Sequence, residues 1–258
     1  LRPAIIWCDQ RTADECRWLN ETVGPGRLLE LTSNPALTNF TLTKLLWVRT
    51  HEPDLWARVR HVLLPKDYVR YRLSGAHAID VADASGTLML NVARRRWSRE
   101  LLDAVHISHD LLPDVFESAD VCARVSTEGA RATGLAEGTP IVAGAGDQAA
   151  GAVGMGITRP GAVSVTIGTS GVVFAATEAP ALDRKGRIHT FCHAIPDRWH
   201  VMGVTQAAGL SFRWLRDQWF SSGHDSGPAD PHVQGPADPH VYGPADLHVR
   251  GPADLQVH

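Results

Sequence analysis

The segment Ile141-Val142-Ala143-Gly144-Ala145-Gly146-Asp147-Gln148-Ala149-Ala150-Gly151 decides the fold class of this 258-residue chain. Its first four residues are apolar or small, a pattern that predicts a buried β-strand. The small residues 149–153 that follow predict a helix. A buried strand that passes directly into a helix indicates an α/β protein.

Asp147, at the junction of that strand and helix, is the candidate catalytic residue. The glycines before it let a substrate approach the backbone, and the start of a helix favours an anion. A carboxylate placed there can accept a proton from a hydroxyl group, and the neighbouring Gln148 can hydrogen-bond a polyol. The alternative is that Asp147 only caps the helix. Spacing alone leaves both interpretations open.

A second candidate site is the turn Gly168-Thr169-Ser170-Gly171. It joins two β-rich runs, residues 162–167 and 172–176, which together predict a hairpin. Exposed backbone N–H groups and the hydroxyls of Thr169 and Ser170 could cradle a phosphate. A bare turn is the alternative. The segment lacks the lysine of a Walker A loop, so that motif is excluded.

A third candidate site lies near the start of the sequence. Ala4-Ile5-Ile6-Trp7 predicts a short strand, and Asp9 follows it. Residues at the carboxyl end of a strand commonly line the ligand crevices of α/β proteins. An indole beside fixed polar groups suits a sugar, whose C–H faces stack on the ring while its hydroxyls form hydrogen bonds. The alternative is a core Trp7 with Asp9 as a helix cap.

Other patterns predict the elements around these sites. Helices are expected from about residue 12 through Trp18 and Leu19, at residues 43–51, from Pro53, from Pro65 to near Gly75, and at about 206–220; strands are expected at 188–194 and 199–204. His193 is alone in its strand and is expected to be a satisfied core histidine rather than a base.

Composition and charge exclude several classes of function. The 28 acidic and 25 basic residues give a net charge of −3, so neither a nucleic-acid surface nor a polybasic membrane patch is indicated. No apolar run approaches the roughly 18 residues of a membrane span, and the start of the sequence lacks a signal-peptide layout. We expect a soluble cytoplasmic protein with a small-molecule partner. The 4 cysteines form no CxxC pair and are expected to be reduced core residues.

Residues 221–258 differ from the rest of the chain. Four octapeptides, GPADPHVQ, GPADPHVY, GPADLHVR and GPADLQVH, follow one another from Gly227. The Gly-Pro at the start of each repeat interrupts helix and sheet alike, so a disordered tail is predicted. The tail carries a net charge of −4, which leaves the body at +1. Its histidines leave a metal-binding tract as the alternative.

Taken in order, these motifs resemble the FGGY family of sugar kinases. The likeness extends from the start of the chain to about residue 220 and is closest to the xylulose-phosphorylating members. Its carriers are LRPAIIWCDQR from Leu1, KLLWV from Lys44, LLPKDY from Leu63, GAGD from Gly144, IGTSG from Ile167, FCHA from Phe191 and WHVM from Trp199.

The resemblance implies an α/β fold of the actin-like ATPase or ribonuclease-H-like type. Residues 1–156 would be part of the first, sugar-binding domain, residues 157–220 the start of the second, nucleotide-binding domain, and residues 221–258 the disordered tail. The implied reaction is phosphorylation of D-xylulose to D-xylulose 5-phosphate by ATP with Mg²⁺. The resemblance allows a homodimer in the full-length family, and no nucleic-acid or membrane partner is expected.

The resemblance also assigns roles to residues. Asp147 matches the catalytic base and would contact Mg²⁺ at most through water; no direct metal ligand is implied. The implied sugar contacts are Gln148, Trp7 and Asp9, and the implied contacts to the nucleotide phosphates are Gly168, Thr169 and Ser170.

Two features of the family are expected to be missing from this sequence. Family members begin with a D-x-G-T-S phosphate motif, and they continue into most of a second domain with an adenosine-binding loop. A chain without them would lack several groups that stabilise the transferring phosphate. The sequence therefore leaves two alternatives: an ATP-dependent xylulose kinase, or a catalytically inactive fragment that at most binds a sugar or a partner chain.

Overall fold

The computed structural model describes residues 3–219, and the predicted tail at 221–258 lies outside this range. Within it the helices are α1 (Ala13–Thr22), α2 (Pro25–Thr32), α3 (Thr41–His51), α4 (Pro53–Trp56), α5 (Pro65–Ser74), α6 (Val81–Ser85), α7 (Arg99–Ala104), α8 (Thr127–Thr133), α9 (Asp147–Gly154) and α10 (Gly209–Trp219), with a 3₁₀ turn at His109–Leu111. None of them has the length and apolar character that crossing a membrane requires.

The strands within the described residues form one four-stranded sheet and three pairs. They are β1 (Ala78–Asp80), β2 (Leu90–Asn91), β3 (Arg96–Trp97), β4 (Asp114–Phe116), β5 (Val121–Arg124), β6 (Pro140–Val142), β7 (Val163–Ile167), β8 (Gly171–Thr177), β9 (His189–Cys192) and β10 (Trp199–Thr205). The sheet has the order β7-β8-β10-β9, β1 pairs with β4 in parallel, and β2-β3 and β5-β6 are antiparallel pairs.

Contacts divide the chain into two compact units. Of the described residues, 3–164 and 173–202 belong to the first unit, and 165–172 and 203–219 belong to the second. The first unit holds the main hydrophobic core. Helices α1, α2, α3, α6 and α7, strands β1 and β9, and the segment before β2 contribute buried side chains such as Leu19, Leu28, Leu42, Leu46, Ile79, Ala84, Met89, Leu101 and Phe191. Burial of each large apolar side chain stabilises the fold by about 1.5 to 3 kcal/mol.

Helix α5 shows how local sequence fixes an element next to the candidate site. Pro65 occupies its first turn, where a missing N–H costs nothing, and Asp67 accepts a hydrogen bond from the Leu64 N–H at 3.3 Å. Gly75 ends the helix with φ of +77°, a left-handed conformation that glycine adopts without strain. Both predicted ends of this helix are confirmed.

Most of the other predicted elements are present. The structure confirms helices α1, α3, α9 and α10, the β7-β8 hairpin, and strands β9 and β10. The helix predicted from Pro53 is only one turn long, Pro53–Trp56.

One strand prediction is wrong, and a second is right about the strand but wrong about its burial. Residues 4–7 form an irregular segment and a turn, with Ile6 50% and Trp7 60% exposed. They pair with no strand among the described residues, so their backbone groups form no inter-strand hydrogen bonds there. The predicted strand at 141–144 exists as β6, but Val142 is 50% exposed because β5 and β6 form only a two-stranded ribbon.

Candidate functional site

The segment that joins β6 to α9 forms a tight loop, residues 143–147, which we call the Asp147 loop. The N–H of Ala143 donates to the Asp120 carbonyl and the N–H of Gly144 to the Ser118 carbonyl, both at 2.9 Å. Gly144 has φ of +79°, which a residue with a side chain rarely adopts. Gly146 is the N-cap residue of α9. The loop therefore turns sharply and delivers Asp147 to the first position of the helix.

The Asp147 carboxylate is exposed at the start of α9. Within residues 3–219 it makes no side-chain hydrogen bond or ion pair. The N-cap position belongs to Gly146 and no side chain caps this helix, so the capping alternative does not describe Asp147. Gln148 follows in the same turn and is half-buried. The arrangement leaves a carboxylate available to a hydroxyl group.

An ionic cluster of five side chains lies against the Asp147 loop: Lys66, Asp67, Arg70, Asp80 and Asp83. Lys66 Nζ is 2.8 Å from Asp67 Oδ1 and 2.6 Å from Asp80 Oδ2, and both carboxylates are fully buried. Its third partner is Asp83 Oδ2 at 3.3 Å. Arg70, 4% exposed, pairs with Asp67 Oδ1 at 3.0 Å. Three carboxylates therefore share two cations.

Burial and charge shift the pKa values of this ionic cluster. Burial is the main reason that the pKa of Asp83 rises to about 6, and the nearby Asp80 raises it further. Burial alone would lower the pKa of Lys66, but the attraction of Asp80 and Asp67 outweighs it and raises that pKa overall. Lys66 is therefore held as an ammonium.

Asp67, Asp80 and Asp83 offer carboxylate oxygens that lie within 4.8 Å of one another, the spacing of a metal site. The Lys66 ammonium already lies within ion-pair distance of all three carboxylates. Mg²⁺ requires octahedral oxygen ligands about 2.0 to 2.1 Å from the ion, which this occupied cluster does not offer. The cluster does not fit Mg²⁺.

The ionic cluster was missed by sequence reasoning, although LLPKDY contains two of its members. Asp80 caps α6 by accepting from the Asp83 N–H at 2.9 Å, so locally the pair looks like an ordinary helix start. Only tertiary packing brings α6 to α5 and reveals a shared ammonium.

The Trp7 and Asp9 region is more open. The Trp7 indole is 60% exposed, and Asp9 does not cap α1, whose N-cap residue is Thr12. This excludes the interpretation as a core tryptophan with a capping aspartate. Both Asp9 oxygens accept hydrogen bonds from Arg11, whose guanidinium lies 4.9 Å from the centre of the Trp47 ring. Arg11 keeps the pKa of Asp9 below its usual range. A sugar contact by either residue remains a prediction.

In the second unit, the turn Gly168-Thr169-Ser170-Gly171, which we call the threonine turn, is fixed by backbone hydrogen bonds. The Gly168 carbonyl accepts from the Gly209 N–H at 2.8 Å and the Thr169 carbonyl from the Ala208 N–H at 2.9 Å. The Gly168 N–H donates to the Ser170 carbonyl at 2.8 Å. That N–H is therefore not available to a phosphate. The N–H and hydroxyl groups of Thr169 and Ser170 remain the candidate phosphate donors.

Two smaller predictions have clear outcomes. His193 is fully buried, with Nε2 2.9 Å from the Ile157 carbonyl and Nδ1 accepting from the Ile195 N–H at 3.1 Å, so it is a satisfied core histidine as predicted. All four cysteines are free thiols, but only Cys192 is buried.

Comparisons with known proteins identify the family. The N-terminal domain of the FGGY family of carbohydrate kinases matches residues 1–154. The chain is 44% identical over 214 residues to a protein named xylulose kinase from Escherichia coli (strain K12), covering 83% of this chain and 44% of the relative. Xylulose kinase from Bacillus subtilis (strain 168) is 43% identical over 216 residues, with 84% and 43% covered.

Comparison with solved structures supports the same family. A xyloylose kinase from Brucella ovis has a TM-score of 0.79 at 38% identity, covering 84% of this chain and 44% of that one. Xylulose kinase from Rhodospirillum rubrum has a TM-score of 0.80 at 29% identity, with the same coverage. The α/β, actin-like fold is thereby confirmed, and the chain spans less than half the length of these relatives. It belongs to the FGGY family of carbohydrate kinases.

Proposed function

We propose that this protein transfers the γ-phosphate of ATP to D-xylulose and forms D-xylulose 5-phosphate. The observation that carries the proposal is the exposed Asp147 carboxylate at the start of α9, which forms no side-chain hydrogen bond or ion pair within residues 3–219. The relatives named xylulose kinase support the choice of sugar. FGGY membership supports the reaction class.

In the proposed reaction Asp147 accepts the proton of the sugar's primary hydroxyl. The hydroxyl oxygen forms a bond to the γ-phosphorus, and the bond from that phosphorus to the β,γ-bridging oxygen breaks as ADP leaves. Gln148 and Asp9 would hydrogen-bond the sugar hydroxyls, and the exposed Trp7 indole would pack on its C–H face. Phosphoryl transfer depends mainly on in-line positioning and charge neutralisation, which such contacts supply.

The threonine turn is proposed to hold the phosphates of ATP. Thr169 and Ser170 would donate to phosphate oxygens. Gly168, whose N–H is already hydrogen-bonded, would contribute only by having no side chain to block the phosphates. Bound Mg²⁺ would neutralise phosphate charge, with Asp147 in contact through water. The same proposal includes a domain boundary at residue 156 and a homodimer. It also includes a cytoplasmic location, because ATP is supplied there.

The test is ADP release by the 258-residue chain with D-xylulose and MgATP, in a coupled assay. Asp147→Asn is expected to lower kcat at least about 10²-fold, because general-base catalysis contributes on this scale. Asp54→Asn is the matched control, since Asp54 is also an exposed aspartate in the first turn of a helix, α4. It is expected to leave kcat unchanged.

Calorimetric titration with D-xylulose separates the alternatives. Binding without ADP release would identify a sugar-binding chain without turnover. If the chain neither binds D-xylulose nor releases ADP, the proposal is overturned. If turnover survives in Asp147→Asn, the proposed role of Asp147 is overturned.

A further inference from the structure

The Lys66 ammonium is the centre of the ionic cluster. Its Nζ lies within 3.3 Å of a carboxylate oxygen on each of Asp67, Asp80 and Asp83. These residues belong to α5, to the end of β1 and to α6. The Lys66 side chain, which is 32% exposed, therefore connects three elements.

The same cluster touches both ends of the Asp147 loop. At the entry, Arg70 Nη2 donates to the Ala143 carbonyl, and Lys66 Nζ lies 3.5 Å from the same oxygen. At the exit, Asp83 Oδ1 lies 2.8 Å from the position that a Cβ on Gly146 would take. The carboxylate can come this close only because Gly146 has no side chain.

Asp147 itself has no comparable anchor. No side-chain hydrogen bond or ion pair holds its carboxylate within residues 3–219, so its position follows from the backbone of the Asp147 loop. A base must be held to a fraction of an ångström to act on a hydroxyl. The groups that fix this backbone therefore fix the base.

We propose that Lys66 is a positioning residue for Asp147: it holds the ionic cluster in the place where a metal ion would otherwise balance three carboxylates, and the cluster holds the Asp147 loop. The inference rests on the proposed function for its catalytic consequence. Its structural part, that Lys66 fixes the Asp147 loop, stands apart from any turnover.

Hydrogen exchange tests the structural part directly. The amides of Ala143 and Gly144 are hydrogen-bonded and therefore protected, as is that of Ala150, which donates to the Gly146 carbonyl at 2.9 Å. In Lys66→Met we expect their exchange to accelerate at least tenfold, while amides of α1 and α3 change less than twofold.

Arg95→Met is the matched control in the same unit. Like Arg70, Arg95 forms both an ion pair and a hydrogen bond to a backbone carbonyl: it pairs with Glu117 at 2.6 Å and donates to the Arg198 carbonyl at 2.8 Å. It does not contact the Asp147 loop. Its loss is expected to leave exchange at Ala143, Gly144 and Ala150 within twofold of the unmodified chain. Equal acceleration in both variants, or uniform acceleration throughout Lys66→Met, would show only a general structural role.

Lys66→Met leaves buried acids short of a cation and could unfold. The double variant Lys66→Met with Asp83→Asn keeps the net charge of the ionic cluster unchanged, at one negative charge, and carries the same test. Acceleration confined to the Asp147 loop supports the proposal, and unchanged exchange there overturns it.

The functional part is read from D-xylulose. If the unmodified chain binds or phosphorylates the sugar, the double variant is expected to weaken binding or lower kcat about tenfold, and Arg95→Met to leave both unchanged. If the unmodified chain does neither, the proposed function fails while hydrogen exchange still decides whether Lys66 fixes the loop.

Discussion

Two glycine-rich segments of this chain carry the same sequence signal and are held by different forces. In addition to the backbone hydrogen bonds of its Ala143 and Gly144 N–H groups, the Asp147 loop is held by charged side chains, with Arg70 and Lys66 at the Ala143 carbonyl. The threonine turn rests on neutral backbone hydrogen bonds to the residues that open α10, at 2.8 and 2.9 Å. Buried charges fix a position strongly but tolerate no lost partner, whereas backbone bonds depend on how closely two main chains approach.

The largest expected effect on stability comes from removing a charge of the ionic cluster that holds the Asp147 loop. Arg70→Met leaves the fully buried Asp67 with less compensation and removes donors from the Ala78 and Ala143 carbonyls. We expect a loss of about 3 to 5 kcal/mol in the free energy of unfolding, measured with urea. Arg27→Met, which breaks exposed ion pairs only, is the control and should leave the urea midpoint unchanged.

The next effect concerns close approach of main chains in the second unit. A Cβ at Gly209 would lie 2.4 Å from the Gly168 carbonyl oxygen, so Gly209→Ala must push α10 away from the threonine turn. We expect a loss of about 2 kcal/mol in urea unfolding. Gly203→Ala, where a Cβ meets nothing within 4 Å, is the control. Equal stability of the two variants would mean that the turn and helix do not need this contact.

A matched substitution in the Asp147 loop is expected to cost less. A Cβ at Gly146 meets the Asp83 carboxylate at 2.8 Å, and a side chain can move where a backbone cannot. Gly146→Ala should therefore lower stability by only about 1 kcal/mol. Gly151→Ala in α9 meets nothing and should gain up to about 1 kcal/mol from helix propensity. A larger loss for Gly146→Ala than for Gly209→Ala contradicts the comparison.

pH separates the two segments further, through Asp83. Its folded pKa of about 6 lies above the ordinary value of 3.8, so the protonated form stabilises the fold at low pH and this stabilisation disappears as pH rises through 6. In Asp83→Asn the side chain does not titrate, so the variant does not lose this stability as pH rises. Relative to the unmodified chain, the variant should gain about 1 kcal/mol between pH 5 and pH 7.5.

The measurement is urea unfolding of both chains at both pH values. Buried His200, with a folded pKa of about 3, makes each chain less stable as pH falls below 6.5, and the difference between the chains removes this common term. A difference that does not change with pH would show that Asp83 is not desolvated.

The smallest effect is expected at Ser170. Its hydroxyl donates to the Gln206 carbonyl at 3.3 Å, an exposed and weak contact. Ser170→Ala should change the urea stability by about 0.5 kcal/mol. If the threonine turn holds phosphates as proposed, the same variant should weaken MgATP binding severalfold in calorimetry. Unchanged MgATP affinity would remove Ser170 from the proposed phosphate contacts.

Local signals in the sequence predicted the elements well. Proline at the start and glycine after the end set the bounds of α5, and glycine between two β-rich runs set the β7-β8 hairpin. These features depend on neighbouring residues only. The strand predicted at 4–7 failed because an apolar run is not sufficient: a strand also needs a partner for its backbone groups.

The candidate site was predicted in part. The exposed position of Asp147 at the start of α9 was predictable because its glycine and helix context is local, and its catalytic role stays a prediction. The ionic cluster was not found, because Asp80 and Asp83 read as an ordinary helix start and meet Lys66 only after α5 and α6 pack together. The pairing of Asp9 with Arg11 was missed for a different reason: the residues are two apart, but nothing in the pattern says that both oxygens are used.

The most direct test of the central claim is backbone NMR of the 258-residue chain titrated first with D-xylulose and then with MgATP. The account predicts that D-xylulose shifts the amide signals of Asp147 and Gln148 and leaves those of Thr169 and Ser170 in place, and that MgATP shifts the latter pair. Shifts of Thr169 and Ser170 with D-xylulose, or no shift at Asp147 and Gln148, would contradict it.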